Sequence, residues 1–486
     1  MNFKPLFQAK FKPAPEFRPS FNIGSCMDLP VSEFYKGKYG EYVMNGGFGS
    51  MMAFSGPGNS NKSTASDYAH VQVMDRLLHT CPTPLAKYDT EETATTRRIE
   101  TLAKSTLYLK DIDIVDTGLY LLTNRSTMPG EEYYGVWKAG LESKVKDKLP
   151  MQRTPFVTRK GEFFEMLPPS LNSIDSITDF TTSNTDEMLT KHELGDSKQN
   201  RVFMVQGRDK SSMLIEMPVY TSKYNDYMTI TTHVGKKGQD MSSGPPKPNS
   251  KSNTHMKADE RIKGLTDKVY YMFSAYWMTS VSRTYWQDGT KFLRYPKTPD
   301  SISDTDLDLQ TTDITLIRGK AGVGSGVRLT LVASQKEGII PYLTELDYCR
   351  DNGNFGIIGN ASTWAIELLP EIKMTRNTTR IKFDNDYKLV RAMNLTSEIC
   401  QCLQYYKSIF PWIPDTMTEI IEGVKKNGYD IDFLLEKTRG WWTLNEDKHP
   451  LKYMCFLDFV RMGLGTYHPY WLEDDKKTIK KEFLPA

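Results

Sequence analysis

The sequence predicts an alternating α/β fold, in which helices flank a central and mostly parallel sheet. Short apolar runs with the length of buried strands recur along the chain, and helix-compatible segments separate them. One run enters a glycine-containing loop and then a helix-compatible stretch, Thr64–His79. Because strands that alternate with helices form parallel crossover units, these observations favour one large α/β core. The predicted strands are Ser50–Phe54, Leu85–Tyr88, Tyr227–Thr232, Tyr270–Phe273 and Arg328–Val332.

With 486 residues, the chain is long enough for one large domain with appendages. Residues 1–41, rich in Pro and Phe, are expected to form an N-terminal arm for assembly, residues 42–370 the core, and residues 371–486 a mostly helical C-terminal region. Gly235–Lys257 has hardly any apolar side chain and is expected to be a mobile loop. Asp300–Asp313 is polar and acidic, which favours a surface insertion.

The composition is that of a soluble globular protein, with 39% hydrophobic and 25% charged residues. No run of about 18 apolar residues occurs, so no membrane span is predicted. The six cysteines are scattered without CxxC pairs, which favours reduced thiols in the cytoplasm over disulfides or a metal site. The formal net charge of +2 neither demands nor excludes nucleic acid, because a local basic patch would be lost in the average.

A phosphate-binding loop is the strongest local signal. Gly56, Lys62 and Ser63 fit the pattern G-x-x-x-x-G-K-[ST], with Asn61 in place of the last glycine. In such a loop the backbone N–H groups bind phosphate oxygens, the lysine reaches the β- and γ-phosphates, and the hydroxyl ligates Mg²⁺. Asparagine accepts a left-handed backbone, so the loop can still close; the alternative is a simple turn beside an exposed lysine. The predicted nucleotide-binding residues are Gly56, Pro57, Gly58, Asn59, Ser60, Asn61, Lys62, Ser63 and Thr64.

This loop resembles the Walker A motif of RecA-type recombinases, and of their phage UvsX branch in particular. Gly56-Pro57 opens it as in that family, and the UvsX branch tolerates a residue other than glycine before the lysine. Just upstream, Asn45–Phe48 resembles the glycine-rich turn that precedes the P-loop strand of the family. The resemblance extends over about residues 42–365 in spaced segments. It implies a RecA-like P-loop core, ATP and Mg²⁺ as cofactors, and a DNA-dependent ATPase.

Three further motifs resemble catalytic positions of the family. A strand ending in Asp-Thr-Glu matches Glu91 to the base that orients the attacking water. Asp175 matches the Walker B aspartate, which holds Mg²⁺ together with Ser63, and His233 matches a sensor of the γ-phosphate. The simpler alternatives are a charged helix start at Glu91, a surface turn at Asp175, and a structural or exposed histidine.

The resemblance also implies cations that act across a subunit interface and loops that contact DNA. Arg318 and Lys320, on the first of two closing strands, match basic residues that reach the neighbouring subunit's ATP; the alternative is a hairpin flanked by basic residues. The two DNA loops would lie around Thr181–Lys210 and at Gly235–Lys257, although the latter could be a plain solvated linker. The predicted DNA contacts are Arg201, Arg208, Lys210, Lys236, Lys237, Lys247 and Lys251.

Together these motifs imply an ATP-dependent recombinase that forms filaments on single-stranded DNA and promotes homologous pairing and strand exchange. Phe11–Ala14 resembles the Phe-x-x-Ala tether that links some recombinase subunits. The implied partners are single- and double-stranded DNA, further copies of the chain, and single-strand-binding and mediator proteins. Two alternatives stay open: a RecA-fold ring helicase, and a RecA-fold scaffolding protein with a weakened ATPase, which Asn61 and the polar Walker B strand would suit.

Overall fold

The computed structural model describes residues 18–91, 94–157, 162–182, 185, 187, 199–236, 260–263, 267–290, 292–297, 308–438 and 454–483. The strands are β1 (Glu33–Lys36), β2 (Tyr42–Asn45), β3 (Met51–Gly56), β4 (Leu85–Asp89), β5 (Tyr120–Asn124), β6 (Gln152–Val157), β7 (Phe163–Met166), β8 (Ser170–Asp175), β9 (Asp226–Lys236), β10 (Glu260–Ile262), β11 (Ala275–Thr279), β12 (Arg283–Thr284), β13 (Gln310–Gly319), β14 (Arg328–Ser334), β15 (Gly338–Ile339), β16 (Ile357–Gly359) and β17 (Trp364–Ile366). The helices are α1 (Lys62–Leu77), α2 (Thr96–Ala103), α3 (Gly130–Lys146), α4 (Gln199–Tyr224), α5 (Pro341–Asp351), α6 (Thr379–Asn385), α7 (Tyr387–Tyr405), α8 (Met417–Lys426), α9 (Ile431–Lys437) and α10 (Phe456–Gly463).

Within these residues, eleven strands form one sheet in the order β15-β14-β13-β11-β3-β9-β8-β4-β5, with β10 beside β9 and β12 beside β13. From β11 to β5 in this order, each strand is parallel to its neighbour. Beyond β11 the sheet continues with antiparallel strands: β13 pairs with β11, and β14 pairs with β13. Helices follow most of the parallel strands, as right-handed crossovers require.

Side chains of β3 alternate between two buried layers, one on each face of the sheet. Met52 and Phe54 belong to the larger hydrophobic cluster, which also contains residues of α1 and of the C-terminal helices. Met51 and Ala53 belong to a second cluster, together with residues of α3 and α4. Because both faces are covered, every residue of β3 is buried, which explains its unbroken apolar run. The predicted fold class, an α/β fold with a central, mostly parallel sheet flanked by helices and a mostly helical C-terminal region, is confirmed.

Four of the five predicted strands coincide with observed ones, but the prediction for Tyr270–Phe273 is wrong. Those residues fall in and just after a 3-10 helix, Asp267–Met272, and the strand β11 begins only at Ala275. Tyr270 and Phe273 are buried in the second cluster, and burial alone does not distinguish an apolar turn from an apolar strand. The predicted insertion at Asp300–Asp313 ends within β13, and residues 298–307 lie outside the described residues.

The C-terminal helices share one hydrophobic cluster with the core. Residues of α7 and α10 pack there beside β14 and α5, and α7 contacts α5 directly. The Tyr406 hydroxyl lies 2.8 Å from the carbonyl oxygen of Leu29 and 2.9 Å from that of Ser32, which joins this region to the N-terminal segment. The division at residues 41 and 370 stays a prediction. None of the described helices is long and apolar enough to cross a membrane.

Phe34 offers a test of that junction. Its ring, on β1, meets the rings of Tyr406, Phe410 and Phe456 edge-on, at centroid distances of 5.3, 5.4 and 5.9 Å. Phe34→Ala would leave a cavity between the N-terminal hairpin and the C-terminal helices, so we expect the free energy of unfolding to fall by about 3 kcal/mol. Chemical denaturation measures this change. Phe34→Leu should cost clearly less, and an alanine variant as stable as the wild type would contradict the packing described.

Candidate functional site

The candidate site lies at the edge of the sheet where the parallel strands end. The strands β3, β9, β8 and β4 are neighbours, and their hydrogen-bond register pairs Gly56 with His233 and Asp175 with Asp89. Polar residues that end these strands are therefore brought together although they are far apart in sequence. In open α/β sheets, ligands bind in the crevice beyond the carboxyl ends of such strands.

The loop between β3 and α1, which the sequence predicts to bind phosphate, contains two residues with a left-handed backbone. Asn59 and Asn61 have φ values of 52° and 54°, in the left-handed region, and Asn61 is the N-cap of α1. The Asn61 side chain donates a hydrogen bond of 2.9 Å to the Thr312 hydroxyl on β13. The substitution of the usual glycine by asparagine is therefore accommodated, because asparagine adopts this backbone and also anchors the loop.

Neighbouring elements brace the loop from the β11 side. The Thr279 hydroxyl donates to Ser60 Oγ at 2.8 Å, and Ser60 in turn donates to the carbonyl oxygen of Pro57 at 2.7 Å. The backbone N–H of Ser282 donates to the carbonyl oxygen of Asn59 at 2.8 Å. These contacts hold the loop against the sheet.

Lys62, the first residue of α1, folds back over the loop. Its ammonium donates to the carbonyl oxygen of Pro57 at 2.6 Å and lies 3.4 Å from Ser60 Oγ. The side chain is buried, and burial lowers its pKa, while the carboxylates of Asp175 and Glu91 oppose that shift. A phosphate group placed in the loop would offer this ammonium a stronger, charged acceptor than a carbonyl oxygen.

Ser63 and Asp175, the predicted metal-binding pair, are in contact. Ser63 Oγ donates to Asp175 Oδ1 at 3.1 Å, and Thr231 donates to the same oxygen at 2.5 Å. Burial raises the pKa of Asp175, but Lys87 and the hydrogen bonds from Thr231 and Ser63 outweigh this effect and lower the pKa to about 2. A charged carboxylate beside a hydroxyl is the hard-oxygen donor set that suits Mg²⁺, so these residues fit the implied ion.

Glu91 and His233 meet next to that pair. The His233 Nε2 and Glu91 Oε1 atoms are 2.8 Å apart, and both side chains are partly exposed. Asp89 fixes the turn that carries Glu91, because it accepts the backbone N–H groups of Glu91 and Ala94. One ligand atom each from Glu91, His233 and Asp179 lie within 4.8 Å of one another, a grouping that a further divalent cation could use. The two residues predicted to act on the γ-phosphate are thus in direct contact.

A buried ionic network next to Asp175 was not predicted from the sequence. Lys87 of β4 contacts Asp67 of α1 at 2.7 Å, and Arg98 of α2 lies 3.2 Å from the other oxygen of Asp67. Arg98 also donates to the Thr64 hydroxyl. One signal was available: Lys87 lies two residues after Leu85 in a strand, so both side chains point to the same, buried face. Alternation within the strand could have identified a core lysine, but not its partners.

Arg318 and Lys320 lie at the end of β13. The Arg318 guanidinium stacks over the Tyr271 ring at 4.8 Å, and the Lys320 ammonium donates to the carbonyl oxygen of Met272 at 3.1 Å. Burial lowers the pKa of Lys320, and the charges of Arg318 and Arg18 lower it further. The three basic residues thus form a local concentration of positive charge.

This basic cluster lies at the opposite edge of the sheet from the phosphate loop. The register pairs Gly319 with Ala275, and Ala275 with Met52 near the start of β3, whereas the loop begins at Gly56, where β3 ends. Four strand residues correspond to roughly 13 Å along β3. Arg318 and Lys320 therefore lie too far from the predicted phosphate loop of the same chain to reach it.

Among the predicted DNA-contacting residues, Lys210 is buried and Arg208 is exposed. Lys210 lies on α4, only 3% exposed, and its ammonium donates to the carbonyl oxygen of Thr178 at 2.7 Å. Burial is the main cause that lowers its pKa to about 8. The prediction of a DNA contact does not fit this buried position, because α4 continues through residues 199–224 where a loop was expected up to Lys210. Arg208, on the same helix, has an 80% exposed side chain.

Two of the other predicted DNA contacts lie on described elements. Arg201 lies within α4, and Lys236 is the last residue of β9. Lys237, Lys247 and Lys251 lie outside the described residues, as does the predicted tether Phe11–Ala14.

No protein-family model matches the chain, and no curated protein matches its sequence. Among solved structures, it is similar to a RadB recombinase, at 13% sequence identity and a TM-score of 0.32. The similarity covers 60% of this chain and 92% of that chain.

The loop's close contact with β11 gives a direct test. A Cβ atom on Gly56 would lie 2.1 Å from Thr279 Oγ1 and 2.7 Å from Ser60 Oγ, whereas one on Gly58 would meet nothing within 4 Å. We expect Gly56→Ala to lower the free energy of unfolding by about 2 kcal/mol, because the loop must move off the sheet. Gly58→Ala is the matched control and should be nearly neutral. Equal thermal unfolding curves for both variants would refute the close contact.

Proposed function

We propose that the chain is an ATP-dependent DNA recombinase of the RecA/UvsX type, which assembles into filaments on single-stranded DNA and promotes homologous pairing and strand exchange. The observation that supports this most strongly is the convergence of Lys62, Ser63, Asp175, Glu91 and His233 at one edge of the sheet. These residues supply a cation, two oxygen ligands, a carboxylate base and a histidine. They surround the loop between β3 and α1, in which Asn59 and Asn61 have a left-handed backbone. That set of groups suits transfer of a phosphoryl group to water.

In this proposal each residue acts on a different part of the nucleotide. The loop amides and the Lys62 ammonium bind the β- and γ-phosphates, and Ser63 and Asp175 hold Mg²⁺, which would neutralise charge on the phosphates. The Glu91 carboxylate accepts a hydrogen bond from water and orients it towards the γ-phosphorus. The His233 side chain contacts Glu91, and His233 itself lies near the end of β9. If loss of the γ-phosphate moves Glu91, His233 would pass that movement to the end of this strand.

Self-association is part of the same proposal. Arg318 and Lys320 lie at the edge of the sheet opposite the loop, so they could serve a phosphate site only on another copy of the chain. A contact between opposite edges of one sheet is a head-to-tail contact, which continues into a filament unless its rotation closes a ring. DNA would bind through basic residues after β9 and on α4, where Arg208 is exposed, with an affinity that falls as salt rises.

ATP hydrolysis with and without single-stranded DNA tests the function. We expect DNA to stimulate hydrolysis, and Lys62→Ala and Glu91→Gln each to lower the turnover number by about 100-fold or more, because one loses the phosphate cation and the other the base. Glu91→Gln should still bind a fluorescent ATP analogue, whereas Lys62→Ala should bind it weakly. Intact assembly without hydrolysis in the wild type would instead favour the scaffolding function.

Mixing variants tests the assembly. Lys62→Ala lacks the phosphate-binding cation, and Arg318→Ala lacks the proposed contribution to the neighbouring site. If the two residues meet across a subunit interface, some interfaces in a mixture contain one intact copy of each, so the mixture should hydrolyse ATP faster than either variant alone. No gain on mixing would contradict a shared site. Electron micrographs of the active mixture would then separate filaments from the closed hexamers of a ring helicase.

A further inference from the structure

The cluster next to the predicted metal-binding pair joins a buried cation, Lys87, and a buried carboxylate, Asp67, to the less deeply buried Asp175 and Arg98. Lys87 Nζ lies 2.7 Å from Asp67 Oδ1 and 3.2 Å from Asp175 Oδ2. The Lys87 and Asp67 side chains are 3% and 0% exposed, and that of Asp175 is 13% exposed. Arg98, nearer the surface, makes the outer ion pair with Asp67. Water reaches this lysine poorly, so its charge is weakly screened.

Asp175 uses its two oxygens on two different sides. Oδ1 faces Ser63 and Thr231, and Oδ2 faces Lys87. A metal ion held by Ser63 and Asp175 would share one carboxylate with the lysine. The ammonium cannot turn away from it, because Lys87 lies in the middle of β4, between β8 and β5, and is anchored by Asp67.

We propose that Lys87 is a positioning residue that sets the metal affinity of this site. It holds one oxygen of the Asp175 carboxylate, and its positive charge lowers the affinity of that carboxylate for a divalent cation that arrives alone. Nucleotide phosphates add negative charge on the open side, so the cation enters together with the nucleotide. This inference rests on the proposed function for its biological meaning, but it concerns the charge balance around Asp175 itself.

Asp67 makes the proposal testable, because it neutralises Lys87 without contacting the metal-binding pair. Asp67→Asn removes one of the two carboxylates that contact Lys87 and leaves Asp175 to balance its charge, so it should weaken Mn²⁺ binding. The double variant Lys87→Met, Asp67→Asn removes one positive and one negative charge, so the cluster keeps its net charge while Asp175 loses its cation. In that variant Mn²⁺ should bind more tightly than in the wild type. We expect each shift to be roughly fivefold or more in Kd, since the charges lie close together away from water.

The measurement is Mn²⁺ binding to the whole chain without nucleotide, followed by electron paramagnetic resonance of the free ion. Asp175→Asn identifies the signal that belongs to this site. The matched control is Lys144→Met with Asp226→Asn, which likewise removes a buried lysine and a buried carboxylate that share Ser170, away from Asp175. It should leave the Mn²⁺ affinity unchanged. Circular dichroism shows which variants fold.

Opposite shifts for the single and double variants would support the proposal. Shifts in the same direction, or changes below twofold in both, would overturn it and leave Lys87 with a structural role only. If the double variant does not fold, Asp67→Asn decides: unchanged or tighter Mn²⁺ binding overturns the proposal. The proposed function is tested separately by binding of a fluorescent ATP analogue. Loss of that function with the predicted order of Mn²⁺ affinities intact would refute the recombinase and keep the role of Lys87.

Discussion

The structure depends on the parallel ladder that joins β4, β8, β9 and β3. Its register sets Asp89 beside Asp175 and Gly56 beside His233, so the ends of four strands separated by long stretches of chain form one edge. A one-residue slip of any of these strands would turn its side chains to the other face of the sheet. The two hydrophobic clusters on the faces oppose such a slip, because it would move side chains packed in one cluster into the other, where neighbours of different size and shape surround them. The packing of the core therefore also fixes which residues meet at the site.

Sequence patterns predicted the parts of this structure that local chemistry determines. The strand, loop and helix around Lys62 follow from an apolar run, turn residues and a helix-compatible segment, and the left-handed conformation of Asn61 follows from what asparagine tolerates. The segment Tyr270–Phe273 shows where such patterns fail. Its apolar side chains are buried in the second cluster, but they are carried by a short 3-10 helix and the residue after it instead of a strand. Lys210 shows another limit, since no local pattern indicated that its ammonium would be buried against Thr178.

The partners of buried charges could not be predicted, because they are set by packing between distant segments. Lys87 and Asp67 are twenty residues apart, and Asp175 joins them from a strand that is 88 residues further along the chain than Lys87. Taking such charges out of water is costly unless every one is paired. Replacing such a network with apolar residues is often neutral or stabilising, so its position beside Asp175 is in keeping with the role in metal binding proposed for Lys87.

The two edges of the sheet carry complementary chemistry. One edge has the phosphate loop with its carboxylates, and the other has Arg318 and Lys320 beside Arg18. Both edges are fixed by the same strands, because β11 pairs with β3 on one side and with β13 on the other. A ligand bound between the loop of one copy and the basic residues of the next would therefore contact the same sheet at opposite ends of its strands in the two copies. In the recombinase proposal, ATP is that ligand, and it can favour one arrangement of neighbouring copies only to the extent that it binds that arrangement more tightly.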